Sequence, residues 1–166
     1  MAEDPTPVVN VDELTEIDRS MSPWGASYKV LTPTMRPQGG SLGVNWLRVP
    51  PGHTTCPFHY HLREDEAFFV LSGRGVMRYG DTVQQLRAGD CVSCPAGPDS
   101  AHQIANPYDE DLVYLAIGRH DPHEVCVYPD NGKVMVRGIA KIGHLAEADY
   151  LAGEPERPKI FDMTPS

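Results

Sequence analysis

The chain is short of basic residues, of cysteine and of long apolar runs, and each shortage removes a class of protein. Against 23 Asp and Glu it has only 14 Lys and Arg in 166 residues, a formal net charge of −9. That balance repels nucleic-acid phosphates and the anionic face of a membrane, so neither is an expected partner. No stretch comes near the roughly 18 consecutive apolar residues that a spanning helix needs. The start, Met1-Ala2-Glu3-Asp4-Pro5, is acidic where a secretory signal is basic and then apolar, and the expected location is the cytoplasm. Only Cys56, Cys91, Cys94 and Cys126 carry sulfhydryls; in a reducing compartment they are expected as thiols, without a disulfide framework.

Turn formers are abundant instead. The 15 glycines and 16 prolines amount to about 19% of the chain against an average near 12%, with 40% hydrophobic residues beside them. From Tyr28 onward, short apolar runs alternate with turn signals: Tyr28 to Leu31, Gly43 to Val49, Glu66 to Leu71, Val76 to Tyr79, Thr82 to Leu86, Cys91 to Cys94, Ala101 to Ala105 and Leu112 to Gly118. Such spacing predicts an all-β fold, a small antiparallel β-barrel, rather than βαβ units. Val125 to Tyr128 and Lys133 to Val136, joined by Pro129-Asp130-Asn131-Gly132, predict a hairpin. The expected organisation is an N-terminal arm over 1–26, a barrel over 27–138 and a C-terminal extension over 139–166. That extension is expected to be a short helix at His144 to Ala152 or a loose tail.

One region carries chemistry. His59 and His61 are two apart, so on a strand both imidazoles leave the same face and can reach one point. Glu66 follows across a polar turn, where a hairpin sets its carboxylate beside the pair. Two imidazoles and a carboxylate suit a divalent metal, and His102, after a Gly-Asp turn, a strand and a Pro-x-Gly turn, is the natural fourth ligand.

Together the two stretches resemble the paired motifs of the cupin superfamily. Gly52, His59, His61, Glu66 and Gly73 fit its first motif, with six residues instead of five after Gly52. Gly89, Pro95, Gly97, His102 and Asn106 fit its second, with four residues instead of two before the histidine. Both departures lengthen loops and leave each ligand in place. Over residues 43–118 the resemblance implies a jelly-roll barrel, a double-stranded β-helix, with one divalent ion per chain (manganese, iron, nickel or zinc) held by His59, His61, Glu66 and His102. The family is commonly dimeric, which implies a homodimer, and a small-molecule substrate or ligand.

Other residues are read more simply. Cys91 and Cys94, three apart on a strand, face opposite ways and do not form a zinc or redox pair. Cys56, three residues before His59, is a candidate nucleophile or proton donor, with a small apolar filler as the competing reading. Arg48 is a candidate to hold a substrate carboxylate or phosphate inside the barrel. His120 and His123 follow the last core strand and can overhang the pocket; Tyr60 is read as packing, and Arg63, Arg74 and Arg78 as solvated. His53, Glu64 and Cys56 are the candidate general bases.

The runs Ser41 to Gly52 and Asp121 to Asp130 resemble a bacterial subgroup of single-domain cupins labelled sugar-phosphate isomerase-like. That resemblance implies an isomerase or lyase acting on a sugar phosphate or related carbonyl compound, with the metal stabilising an ene-diolate. No Gly-rich phosphate loop or dense basic cluster accompanies it, so a neutral or carboxylate substrate is equally allowed. An iron-dependent dioxygenase and a non-catalytic binding barrel with a structural metal are the alternatives.

Overall fold

A computed structural model describes residues 6–163, and in it the turn formers cut the chain into strands. These are β1 (Ile17–Asp18), β2 (Ser27–Val30), β3 (Leu42–Val49), β4 (His53–Thr54), β5 (Tyr60–His61), β6 (Glu66–Ser72), β7 (Arg74–Tyr79), β8 (Thr82–Arg87), β9 (Cys91–Cys94), β10 (His102–Asn106), β11 (Leu112–Arg119), β12 (Val125–Tyr128), β13 (Lys133–Val136) and β14 (Lys141–His144). They form three sheets, ordered β1-β2-β3-β11-β6-β9, β4-β10-β7-β8 and β14-β13-β12-β5, and the strand pairs within them are antiparallel. The all-β reading holds, and the arrangement is a jelly roll.

Period-two alternation decides which side chains meet. On β6, Phe68 and Val70 point inward while Phe69 and Leu71 remain partly exposed. Val49, Phe68, Val70, Leu112 and Tyr114 from the six-stranded sheet close on Met77, Leu86 and Ile104 from β7, β8 and β10. Burying each such side chain contributes about 1.5–3 kcal/mol. At the β6–β7 turn, Gly73 has φ +76°, and a Cβ there would stand 2.1 Å from the Asp111 carbonyl oxygen, so the tight reversal requires glycine.

One expectation needs correction. Residues 144–152 form no helix: Lys141–His144 pair with β13 instead, Val134 opposite Gly143, and Leu145, Tyr150 and Leu151 beyond them are exposed. So short a segment, with no surface to receive its apolar face, does not hold a helix, and the tail alternative is the one observed. The expected β12–β13 hairpin forms through Pro129 to Gly132, with Gly132 the one of the four at positive φ. Residues 6–26 lie along the body: Ile17 pairs with Tyr28, and the Gly25 amide donates to the Thr54 carbonyl at 2.8 Å.

Candidate metal centre

Three short-range devices bring the four sequence-predicted ligands together. The amides and carbonyls of His59 and His102 bond each other reciprocally, at 3.1 and 2.8 Å, which sets their ring centroids 4.7 Å apart. His61, two residues on in β5, turns its ring to 4.9 Å from that of His59. Glu66 opens β6 between Gly118 on β11 and Cys94 on β9. Gly118 gives it room, since a Cβ there would come within 3.3 Å of Glu66 Cγ and oblige that side chain to shift by a few tenths of an ångström.

The three imidazoles converge on one carboxylate oxygen. Glu66 Oε2 lies 3.2 Å from His61 Nε2, 3.2 Å from His102 Nε2 and 4.0 Å from His59 Nε2. The far nitrogens are tied elsewhere: His59 Nδ1 is 2.9 Å from the Pro57 carbonyl oxygen and His102 Nδ1 is 2.9 Å from that of Ser100. A carbonyl only accepts, so each Nδ1 carries the hydrogen and each Nε2 presents a lone pair to Glu66. Glu66 Oε2 and His102 Nε2 are accordingly buried with no hydrogen-bond partner. Lone pairs and a carboxylate facing each other in a buried site call for a cation, and this donor set fits a divalent first-row ion.

The electrostatics agree for His59, while His61 and His102 favour the protonated form when no cation faces Glu66. Burial pulls His59 down to about 4, with His102 and His61 adding to the shift, so it is a neutral ligand at pH 7. Burial also opposes the charged forms of His61 and His102, but Glu66 outweighs it at His61, and Cys94 together with Glu66 at His102, so both are raised. Glu66 in turn is held well below the usual carboxylate range by His102 and His61, against the effect of burial. Without a metal, protons on His61 and His102 answer the carboxylate; an ion would displace them.

Behind His61 stands a second layer, of which the sequence offered only Glu64, as a candidate general base, and not Glu124 or Cys126. His61 Nδ1 lies 3.6 Å from both Glu64 Oε2 and Glu124 Oε1. Glu124 is fully buried and accepts from the Leu62 and Arg63 amides at 2.9 and 3.1 Å. Glu64, which is 4% exposed, is gripped through both oxygens by Arg137, and also accepts from the Asp121 amide. Cys126 pairs with His61 in register and offers a sulfur within 4.8 Å of imidazole nitrogens of His59 and His61; burial pushes that thiol up to about 11. Acidic residues on loops and one cysteine on a strand gave no spacing signal.

Other candidates fall outside the cluster. Arg48 does not point into the barrel: it alternates with core residues Leu47 and Val49 on β3, and its guanidinium is bound by Glu16, with Nε donating at 2.8 Å, and by Asp111. Cys56 touches His59 from the Nδ1 edge, Sγ to Nδ1 3.6 Å, and burial pushes its thiol up to about 12. That shift, with the sulfur on the Nδ1 side of His59, disfavours the thiolate form that a nucleophile needs. His53 is on β4, its Nδ1 2.9 Å from the Pro51 carbonyl oxygen. Cys91 is exposed and Cys94 buried, on opposite faces of β9. A cavity of about 200 Å³ opens onto His61 and Glu66, with Arg36, Asn45, Arg119, His120 and Arg137 on its walls.

A jelly roll whose strands gather three histidines and a glutamate is the cupin architecture, and residues 45–118 match the Cupin domain family. The chain is 26% identical to a cupin-superfamily sugar phosphate isomerase from Silicibacter pomeroyi, with a TM-score of 0.71 over 83% of this chain and 92% of that one. A Thermotoga maritima protein described as a predicted oxalate decarboxylase is 25% identical, with a TM-score of 0.59 over 69% of this chain and 99% of the other. The oxalate-binding protein of Thermotoga maritima is 31% identical over 71 residues, 43% of this chain and 56% of that protein. The chain spans a little over half the length of the curated relatives it matches. No helix among the described residues is long and apolar enough to cross a membrane.

Proposed function

We propose that this cupin holds one divalent metal ion per chain through His59, His61, Glu66 and His102, and uses it on a small molecule. The observation that carries this reading is that Glu66 Oε2 and His102 Nε2 are, with His61 Nδ1, the buried side-chain atoms without a hydrogen-bond partner among the described residues, beside His59 and His102 rings whose Nδ1 atoms are already committed. Such an ion acts as a Lewis acid on carbonyl and hydroxyl oxygens, the chemistry of an isomerase or lyase for a sugar phosphate or related carbonyl compound. The chain's own groups do the rest. The Pro57 and Ser100 carbonyls hold two imidazoles in one tautomer, and Glu64 and Glu124 face the third. His120 is the free imidazole on the cavity wall. Burial, then Arg36 and Arg137, hold it below the ordinary histidine value, so at pH 7 it is neutral and suited to accept a proton. Glu64, bound to Arg137 through both oxygens, is not placed to do so.

The second reading is a binding cupin with the same ion, favoured by the likeness to an oxalate-binding protein. We also propose the division into an arm over 1–26, a barrel over 27–138 and an extension over 139–166, a cytoplasmic location and a homodimer. The dimer is supported by Leu42, Phe69 and Leu71, which are 38–44% exposed on the six-stranded sheet; a monomeric mass by light scattering refutes it. Metal content per chain, by mass spectrometry on untagged protein with H59A as control, tests the main proposal. About one ion in the wild type and a strong loss in the variant are expected; no metal even after reconstitution refutes it. Iron as the resident ion would turn the reading toward the dioxygenase alternative.

A further inference from the structure

The cavity beside the candidate metal centre is cationic in a chain whose net charge is −9. Arg36, Arg119 and Arg137 share its lining with His120 and Asn45, although they come from the β2–β3 loop, the end of β11 and the turn after β13. Glu64 and Glu66 line the cavity too, but Glu66 faces His61 and His102 at 3.2 Å, and the arginines' own carboxylate partners do not balance them. Arg137 is neutralised by Glu64. Asp121 is taken by Arg63, whose Nε donates at 2.9 Å, and Arg119 reaches that same carboxylate only at 3.9 Å. Arg36 is exposed and has no carboxylate within 4 Å among the described residues. Two guanidiniums therefore face a polar cavity with little to neutralise them.

We propose that this wall is an anion subsite, in which Arg36, with Arg119 at the rim, seats the carboxylate or phosphate of a substrate whose other oxygens meet the histidine and glutamate cluster. The proposal rests on the metal reading only for that second end. A guanidinium presents a planar fork of donors that matches two oxygens of an oxyanion, which a lone ammonium does not. The Asn45 amide and the His120 ring, on the same lining, add uncharged hydrogen-bonding groups between the two ends. Burial and then Arg36 and Arg137 lower His120, against Glu64, in keeping with the placement of these arginines around the cavity. The cavity, of about 200 Å³ and open on one side, has room for a compact acid. The subsite also supplies what the sequence lacks, a phosphate- or carboxylate-binding signal, because its arginines are 83 and 18 residues apart.

Calorimetric titration tests this. Inorganic phosphate and succinate are titrated into wild type, R36Q and R119Q, each with and without bound zinc, and zinc is titrated into each chelator-treated protein. The expected result is that at least one anion binds the wild type and that R36Q weakens it about tenfold or more, R119Q less, with zinc affinity unchanged within about twofold. Stronger binding of phosphate points to a phosphate ester, and of succinate to a carboxylic acid. Equal anion binding by wild type and R36Q, or none up to about 10 mM, overturns the subsite. If zinc fails to bind the wild type while anion binding still depends on Arg36, the metal reading falls and the subsite stands.

Discussion

Replacing Arg137 by methionine isolates the buried pair that supports the site. The wild-type guanidinium bonds both oxygens of Glu64, Nη2 to Oε2 at 2.9 Å, and donates to the Asp121 carbonyl at 2.7 Å. Removing one member of a buried ion pair typically destabilises by about 3–5 kcal/mol, because the remaining charge is desolvated and unpaired. Glu64 keeps the Asp121 amide as a donor, and the Arg137 side chain is 25% exposed, so solvent already screens part of the attraction. The lower end applies, about 2–3 kcal/mol. At about 2–4 °C per kcal/mol for a chain of this size, R137M should melt roughly 4–12 °C lower. The double variant E64M/R137M leaves no orphaned charge and should recover to within about 1 kcal/mol of wild type. Reversible urea unfolding and calorimetry on all three chelator-treated proteins read this. A single variant as stable as wild type, or a double variant worse than the single, refutes the pairing as the source of the effect.

Stability of the metal-free protein should peak near pH 6.5. His59 has a folded value lowered from 6.5 to about 4, so the unfolded chain binds the extra proton between those values and stability rises with pH there. His102 is raised from 6.5 to about 10, so its contribution is complete below 6.5 and is lost as pH rises toward 10. Glu66, lowered from 4.5, contributes above that value and loses its contribution as pH falls below it. Urea midpoints in chelator should show this profile, with the alkaline limb reduced in H102A and the remainder due to His61, which is also raised; an unchanged limb counts against the assignment. Gly73→Ala should destabilise by about 1–3 kcal/mol or more from positive-φ strain and contact with Asp111, and a melt equal to wild type refutes that. Cys56 should alkylate slowly with iodoacetamide at pH 8, because its thiol is pushed up to about 12, and C56S should keep its metal; rapid alkylation in the folded protein contradicts the buried position. R48A loses only a surface ion pair worth about 0–1 kcal/mol and should leave ligand binding unchanged.

Much of the candidate site is legible because its determinants are local. His59 and His61 share a face by strand period, and Glu66 follows one turn later; only His102 needs a distant strand, and the Pro95-x-Gly97 turn marks where that strand begins. The same locality explains the agreement of β3, β6, β9, β11, β12 and β13 with the apolar runs. Arg48 misled because alternation states that neighbours face opposite ways without stating which way is in; Leu47 and Val49 took the core. The segment 144–152 misled because apolar spacing predicts a helix only if a surface exists to receive it.

What stayed illegible is the lining of the cavity, and the reason is physical. Ligands to a metal must lie within a few ångströms of one point, so their residue types and spacings are constrained. Groups that create a field are less so: Arg36, Arg119 and Arg137 reach one cavity from three separate loops and strand ends, and any cation on those elements would contribute. Each alone reads as a solvated arginine. Their convergence depends on β3 and β11 pairing over eight residues, Leu42 opposite Arg119 through Val49 opposite Leu112. That register brings the start of β3, just after the Arg36 loop, beside the end of β11, where Arg119 and His120 stand. A slip of one residue would turn Gly118 outward and remove the space that Glu66 occupies. The strand register that frees the carboxylate for a metal is thus the same one that assembles the cationic wall, so the two halves of the candidate site are one consequence of a single pairing.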